Sequence, residues 1–218
     1  MSQSESREMY LKSIYELKHG DEPVAISGVA RRLGVSVVSA SEMIKILAED
    51  GFVDHQPYKG VTLTRSGCER ALRVVRRQRL WGRFLADHLK IPWEQIYDLA
   101  CRLEHATDDT VTEAMANFLE HPKFCPHGNP IPSAAGEVEQ LPAISLTEIK
   151  LGQKVKILQI DQPETTLCIY LAKHNLLPDT DLTFIEEAPY NGPLTVRIKD
   201  QEVAVGREIA SRILVSEP

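Results

Sequence analysis

The chain has 218 residues, 43% of them hydrophobic and 26% charged, and it carries a formal net charge of −6. This length fits two domains of roughly 100 to 150 residues or three smaller ones, and the composition of an ordinary globular protein excludes a fibrous or disordered chain. The polar N-terminus has no apolar signal core, and no apolar run reaches the roughly 18 residues of a spanning helix, so we expect a cytoplasmic protein with no membrane partner. Four dispersed cysteines predict reduced thiols and no disulfide framework.

Charge is distributed unevenly along the chain. Residues 1–89 hold 14 Lys and Arg against 11 Asp and Glu, a balance of +3, which leaves −9 for the remainder. This pattern suits a chain that presents only its N-terminal part to phosphates.

The N-terminal third has the pattern of three helices followed by a β-hairpin. Apolar residues at helical spacing predict helices over about residues 5–19, 26–33 and 37–49. Gly34 closes the second helix and Ser36 is the predicted N-cap of the third, so a tight turn joins them. Strand-like flanks around residues 57–60 predict a hairpin wing, which completes a winged helix-turn-helix.

A helical layer and a small β domain follow. Thr64 is the predicted cap of a long helix, Pro92 opens another, and residues 108–119 give a third, which together suit the pairing of two subunits. From Cys125 to Pro142 the prolines predict an extended linker. Strand-like runs over residues 155–160, 182–187, 194–198 and 202–206, with a helix near 165–174, then predict a small barrel.

The third predicted helix is the candidate for reading DNA. The major groove of B-DNA admits one α-helix, which reads base edges with residues near its N-terminus. Val38 suits contact with a thymine methyl group, and Glu42 suits a bond from a cytosine amino group. The alternative is that this helix face is merely solvated in a fold used for protein contacts. The candidates are Ser36, Val38, Ser39, Ser41 and Glu42 for bases, and Lys45, Lys59 and the Arg31–Arg32 pair for phosphates.

Seven arginines lie between Arg65 and Arg83. They are either a basic stripe for DNA beside the half-site or a solvated face that is paired with carboxylates of other helices. We favour the second interpretation.

Three potential metal ligands lie close together after Pro92. Cys101, Glu104 and His105 stand at i, i+3 and i+4, which would place them on one face of a helix. A thiolate, a carboxylate and an imidazole suit a first-row divalent ion, and a fourth ligand must come from elsewhere. Spacing alone leaves open a buried cysteine, a surface carboxylate and a hydrogen-bonded histidine with no metal.

Five segments of the chain resemble the diphtheria toxin repressor family of iron- and manganese-dependent regulators. They are REMYLKSIYEL, RRLGVSVVSASEMIKILAEDGFV, GVTLTRSG, ACRLEH and CPHGNPIP, in the family's order and at its spacing. The resemblance implies a mainly α fold with a small β-barrel, and a repressor of metal-uptake genes that binds DNA as a homodimer. The implied parts are a winged helix-turn-helix domain (1–64), a helical dimerisation and metal-binding domain (65–124), a Pro-rich linker (125–144) and an SH3-like or FeoA-like barrel (145–218).

Carried onto this sequence, the family's primary metal site falls on Met9, Cys101, Glu104 and His105. Because Met9 lies on the first predicted helix, the metal would be held partly by the DNA-reading domain and would set the distance between two recognition helices. Palindromic half-sites lie one turn apart, about 34 Å, so only the metal-fixed dimer would fit them. Metal would therefore shift a population between two arrangements.

The family's ancillary site is altered here. Where relatives carry a His and a Glu this sequence has Gln78 and Gly82, and where some carry a further His it has Tyr97. The usual ancillary site is therefore degraded.

The CPHG motif resembles part of a second metal site found in some three-domain relatives. Its ligands here would be Cys125 and His127, with a carboxylate from the barrel at Asp161 or Glu164. The alternative is a rigid Pro-rich linker in which Cys125 and His127 only pack.

The predicted ligands and the motifs around them bear on which metal the protein binds. Sulfur ligands at Met9 and Cys101 resemble iron-type members and disfavour Mn²⁺, so Fe²⁺ is favoured. Glu42 and the CPHG segment resemble the manganese branch, so Mn²⁺ is the alternative.

A metallohydrolase would need an open coordination position and a general base. No general base is visible near CRLEH, so we expect no enzyme and no small organic substrate. A winged-helix DNA-binding protein without metal regulation is the remaining alternative.

Overall fold

The computed structural model describes residues 3–18, 20 and 22–217, and the chain divides into two compact units. The N-terminal unit extends to Arg77 and includes Pro132–Glu137, whereas the C-terminal unit consists of Gln78–Ile131 and the residues from Val138 onwards. In the described part of the chain no helix is long and apolar enough to cross a membrane.

The N-terminal unit is a winged helix-turn-helix, as the sequence predicts. Gly34 closes α2 (Ile26–Leu33) at φ 66°, and the Ser36 hydroxyl caps α3 (Val37–Glu49) by accepting a bond from the Ser39 N–H at 3.0 Å. The core is fully buried around Leu11, Ile44 and Leu47. The expected end of the first helix at His19 lies outside the described residues. The elements are α1 (Gln3–Leu17), α2 (Ile26–Leu33), α3 (Val37–Glu49), β1 (Val53–Gln56), β2 (Gly60–Leu63) and the first part of α4 (Arg65–Asp87).

The helical part of the C-terminal unit holds the end of α4, α5 (Trp93–Leu103) and α6 (Asp109–Phe118). Asp108 caps α6, since its carboxylate accepts a bond from the Val111 N–H at 2.8 Å. A 3-10 turn (Glu104–Ala106) separates α5 from α6. Cys101 therefore lies in an α-helix, while Glu104 and His105 lie in the tighter turn that ends it.

The C-terminal sheet has six antiparallel strands in the order β3-β8-β4-β5-β6-β7. Among the described residues the outer strands β3 and β7 do not pair, so the pairing gives an open sheet and not the closed barrel that the sequence predicts. The chain order is β3 (Ala143–Ser145), a 3-10 turn (Leu146–Glu148), β4 (Lys154–Ile160), α7 (Thr165–Lys173), β5 (Asp181–Glu187), β6 (Leu194–Ile198), β7 (Gln201–Val205), α8 (Arg207–Ala210) and β8 (Ile213–Ser216).

Strand β4 changes partners along its length. Residues 154–156 pair with β5, and residues 157–160 pair with β8 across a register shift at Leu158. Buried Ile157, Ile160 and Leu171 bring the sheet and α7 into one core. Trp93 of α5 packs against the same core, and α5 also contacts α7, so α5 and the C-terminal sheet belong to one packed body.

Candidate metal centre and nucleic-acid interface

The N-terminal end of α3 presents a small, open face to solvent. Ser36, Ser39 and Glu42 are exposed, and the Val38 side chain is 69% exposed. Ser41 is half-buried, and its hydroxyl donates to the Val37 carbonyl at 2.8 Å. Four of the five predicted base-contacting residues are therefore accessible, and Ser41 must leave its helix bond to donate elsewhere.

The predicted phosphate ligands fall into two groups. Lys45, Lys59 and Arg31 are exposed. Arg32 instead forms an ion pair with Glu16 of α1, in which both side chains are mostly buried. Arg32 thus ties α2 to α1, and we remove it from the phosphate-binding candidates.

The arginines of α4 are mainly structural. Arg76 donates to the Pro132 carbonyl at 2.7 Å and Arg79 donates to the Pro130 carbonyl, so the Pro-rich segment is held on the helix. Six of the seven have partners within their own unit, but the predicted pairing with a carboxylate of another helix is confirmed for Arg77 alone. The other partners are Glu69 for Arg65, the Phe52 ring for Arg70, Glu8 for Arg77 and Asp87 for Arg83.

The end of α5 carries the three predicted metal donors in partly buried surroundings. Glu104 is fully buried, and its Oε1 atom lies 3.3 Å from the Nε2 atom of His105. The Gln78 amide Nε2 donates to the Cys101 sulfur at 2.9 Å, and Gln78 itself is 4% exposed. A buried carboxylate beside an imidazole, and a sulfur that already accepts a hydrogen bond, are donor chemistry that fits a divalent transition metal.

Met9, the fourth ligand implied by the resemblance, is a half-buried residue of α1 in the N-terminal unit. Within residues 3–18, 20 and 22–217, His, Cys, Asp and Glu side chains do not form any cluster of three or more that could hold a metal ion. The structure thus brings Glu104 and His105 together and does not gather all the predicted donors into one ligand shell.

The CPHG segment is a compact loop that is hydrogen-bonded to the sheet, and not the extended linker that its prolines predict. The Ile160 N–H donates to the His127 carbonyl at 2.9 Å, and the Asn129 amide donates to the Ile160 carbonyl at 2.9 Å. Gly128 lies so close to the sheet that a Cβ atom there would be 1.9 Å from the Leu158 oxygen. These contacts fix the loop on β4.

The His127 side chain is enclosed on its other side by α5. Its ring centroid lies 4.6 Å from that of Trp93 and 6.2 Å from that of Tyr97. Trp93 also donates from Nε1 to the Pro126 carbonyl at 2.8 Å. Sequence reasoning missed the role of Trp93, because no motif distinguishes it from any other aromatic residue in a helix.

Burial controls the chemistry of this loop. His127 is 3% exposed, and burial lowers its pKa to about 4, although a hydrogen bond with the Trp93 backbone acts in the opposite direction. The Nε2 atom of His127 is buried with no hydrogen-bond partner among the described residues. His127 is therefore neutral at physiological pH, the state in which an imidazole binds metal.

The other residues of the predicted second site differ in their availability. Cys125 is buried as a free thiol. Asp161 is half-buried and follows Ile160, the residue bonded to the His127 carbonyl. Glu164 is exposed and paired with Arg212 at 3.2 Å. Asp161 is thus next to the residue that bonds the loop, whereas Glu164 is engaged with Arg212.

A winged helix-turn-helix joined to a helical segment with thiol, carboxylate and imidazole donors defines a class of DNA-binding regulators with candidate metal ligands. Family models match the chain in three parts: an iron-dependent repressor N-terminal DNA-binding domain (3–61), an iron-dependent repressor metal-binding and dimerisation domain (64–133) and a FeoA domain (144–217). The chain belongs to the iron-dependent repressor family, which includes the diphtheria toxin repressors, and this is a family of transcriptional regulators and not of enzymes.

Individual relatives match most of the chain. The iron-dependent repressor IdeR of Mycobacterium tuberculosis is 27% identical over 225 residues, which cover 98% of this chain and 97% of the relative. The diphtheria toxin repressor of Corynebacterium glutamicum is 30% identical over 166 residues, 72% of each protein. A solved structure of a manganese-dependent transcriptional repressor in complex with manganese is 34% identical, with a TM-score of 0.88 and coverage of 97% of this chain and 100% of that one.

Proposed function

We propose that this protein is a metal-dependent transcriptional repressor of metal-uptake genes, which binds DNA as a homodimer when a divalent transition metal is bound. Relatives along the whole chain are iron- or manganese-dependent repressors. The observation that carries the proposal is that one chain combines an open base-reading face on α3 with Cys101, Glu104 and His105 at the end of α5.

The proposed primary metal site consists of Met9, Cys101, Glu104 and His105. A divalent ion supplies a positive centre that these side chains surround and partly neutralise. Gln78 supports the site because its amide donates to the Cys101 sulfur and stabilises the thiolate form. Burial of Glu104 keeps water from competing for the carboxylate.

A second metal site is proposed at Cys125 and His127, with Asp161 as the carboxylate in preference to Glu164. Its support is the neutral, buried imidazole of His127 with an unpartnered Nε2 atom. Glu164 would have to give up its ion pair with Arg212 to take part.

Fe²⁺ is the proposed physiological metal and Mn²⁺ the alternative. The sulfur atoms of Met9 and Cys101 favour Fe²⁺ over Mn²⁺ in the general order of affinities. The likeness to a manganese-dependent repressor supports the alternative.

The proposed operator is palindromic, because a two-fold symmetric dimer presents two copies of α3 to DNA. In each half-site Ser36, Val38, Ser39, Ser41 and Glu42 would contact base edges, and Lys45 and Lys59 would contact phosphates.

The finer organisation is also a proposal. We propose domain boundaries at residues 64, 124 and 144 and an SH3-like curvature of the C-terminal sheet, which fit the element order. A cytoplasmic location is proposed because the matched family binds DNA. The support for the curvature is the change of partners along β4.

An anaerobic titration tests this function. Fe²⁺ or Mn²⁺ is added to the full chain, and binding to an operator selected from random duplex DNA is measured by fluorescence anisotropy. We expect tight binding only with metal, and loss of the metal response in Cys101→Ala and Met9→Ala. Cys68→Ala is the matched control, because Cys68 is a free thiol outside the proposed site.

Each result discriminates between functions. Equal operator binding in the presence of a chelator would favour a DNA-binding protein without metal regulation. A metal response that persists in both Cys101→Ala and Met9→Ala would overturn the assigned primary site.

A further inference from the structure

The N-terminal unit contains a cavity between α1, β2 and the first turn of α4. Its volume is about 310 Å³, whereas a protein interior normally leaves few voids larger than a water molecule. The floor is apolar and buried, because Ile14, Val24 and Val61 line it and are at most 7% exposed. The cavity is therefore large enough for a small organic ligand, and its floor favours an apolar one.

Hydrogen bonds anchor the segments that form the walls of this cavity. Val24 and Val61 exchange two backbone hydrogen bonds of 2.8 and 2.9 Å. The Thr64 hydroxyl donates to the Gly51 carbonyl at 2.8 Å, and the Thr64 carbonyl accepts from the Cys68 N–H at 2.8 Å. The cavity is thus pre-formed, as sites for small molecules usually are.

The rim of the cavity carries more positive than negative charge. Among the described lining residues, Lys18 and Arg65 are basic and Glu22 is acidic. Arg65 is paired with Glu69 at 3.1 Å, whereas the Lys18 ammonium has three donor hydrogens and can bind an acceptor in addition to its present contacts. The carboxylate of Glu22 disfavours a ligand with two negative charges, such as a phosphate ester. The rim therefore suits a ligand with one negative charge.

The charge of Lys18 also acts inside the cavity. Cys68, a half-buried free thiol, lies on the wall that α4 supplies. Burial raises the pKa of this thiol, and the Lys18 ammonium acts in the opposite direction. A negative group bound within the cavity would be stabilised by the same ammonium.

We propose that this cavity binds a small monocarboxylate with an apolar body of roughly ten carbon atoms, whose carboxylate pairs with Lys18. A cavity of about 150 Å³ holds benzene, so one about twice as large holds about twelve non-hydrogen atoms. Burial of the apolar body against Ile14 and Leu63 supplies the affinity, and the ion pair supplies the preference for an acid.

The position of the cavity makes such a ligand a potential effector. Because α1 also carries Met9 and β2 is a strand of the wing, a bound carboxylate would contact elements of both proposed interactions, with metal and with DNA. This consequence rests on the proposed function, whereas occupancy of the cavity does not.

Two chemical probes of equal size test the proposal: 4-phenylbutyrate and its neutral amide, 4-phenylbutanamide. The full chain is freed of metal with a chelator and treated with iodoacetamide, and the labelling of Cys68 is followed by peptide mass spectrometry. At about ten times its dissociation constant, 4-phenylbutyrate should slow this labelling about tenfold, because bound ligand covers the thiol. The amide should bind about fivefold more weakly. Cys101, a half-buried thiol of the C-terminal unit, should be labelled at an unchanged rate.

A charge variant tests the pairing with Lys18. Lys18→Gln removes the charge at the rim, so affinity for 4-phenylbutyrate should fall about fivefold while affinity for the amide stays the same. Arg73→Gln is the matched control, because Arg73 is an exposed cation of α4 in the same unit and outside the cavity. It should keep the wild-type preference for the acid.

The inference is overturned if neither probe slows the labelling of Cys68 at concentrations up to about 10 mM, or if acid and amide protect it equally in the wild type. Calorimetric binding of the acid without protection of Cys68 would place the ligand elsewhere and overturn it as well. No metal or DNA is present in these measurements, so such results leave the proposed function intact. Operator binding that does not respond to metal would overturn the proposed function and leave the occupancy of the cavity unaffected.

Discussion

His127 is a buried titratable residue whose protonation is linked to folding. Its folded pKa is about 4, below the ordinary 6.5, because burial disfavours the charged ring. Between pH 6.5 and pH 4 the unfolded chain binds a proton that the folded unit does not, so stability falls as the pH falls through this window. The loss amounts to about 3 kcal/mol by pH 4, and above pH 6.5 this group contributes no pH dependence.

Urea unfolding of the metal-free protein checks this prediction. Both tryptophans, Trp81 and Trp93, lie in the C-terminal unit, so their fluorescence reports its unfolding. His127→Gln should show a shallower fall in unfolding free energy between pH 7 and pH 4.5 than the wild type. Parallel pH profiles for the two proteins would contradict the depressed pKa.

Gln78 is predicted to tune the primary metal site through Cys101. Gln78→Leu keeps the volume of the side chain and removes the amide that donates to the Cys101 sulfur. Loss of such a supporting hydrogen bond should weaken metal binding about tenfold or more.

Competition with a coloured chelator under anaerobic conditions measures that affinity. Gln95→Leu, at an exposed position of α5, is the control and should bind metal as the wild type does. Equal affinities for the Gln78 and Gln95 variants would show that the amide has no influence on the site.

At the scale of elements, local chemistry was predictable and long-range pairing was not. Gly34, Ser36 and Asp108 mark helix ends because their effects depend on a few neighbouring residues. Strands β3 and β8 escaped the sequence reading because short strands are recognisable only by partners far along the chain.

The candidate site shows the same division. The spacing of Cys101, Glu104 and His105 was visible in the sequence, but not the change to a 3-10 turn at Glu104. Ion pairs also depend on tertiary contacts, and so the engagement of Arg32 with Glu16 had no sequence signal.

The packing of the CPHG loop on β4 gives a prediction at this scale. Gly128→Ala would force a Cβ atom against the Leu158 oxygen at a residue whose φ is 79°. Gly152 has a φ of 84° with no atom within 4 Å of such a Cβ, so Gly152→Ala incurs only the left-handed backbone cost of about 1 kcal/mol.

We expect Gly128→Ala to lower the free energy of unfolding by at least about 2 kcal/mol more than Gly152→Ala, because the loop must leave the sheet. Urea unfolding followed by tryptophan fluorescence measures both variants. Similar losses for the two would mean that the loop adjusts without releasing β4.

At the scale of the whole molecule, the family assignment requires a dimerisation surface. The helical part of the C-terminal unit exposes large apolar side chains, with Leu89 at 54%, Val111 at 47% and Phe118 at 59%. The Phe118 ring lies 4.7 Å from that of His88 and 6.0 Å from that of Phe84, so it extends an aromatic cluster to the surface. We propose that this face binds the second subunit, since buried aromatic side chains dominate stable interfaces.

Phe118→Glu tests that proposal, because a carboxylate buried in an apolar interface without a partner is strongly unfavourable. The side chain is exposed in the single chain, so the fold should be kept, while the dimer dissociation constant measured by sedimentation should rise at least about tenfold. Ile169→Glu, at a 53% exposed position on α7, is the control. Operator binding should fall in parallel with dimerisation, because two recognition helices bind as a pair. If Phe118→Glu dimerises with the same dissociation constant as the wild type, the subunit interface lies on another face.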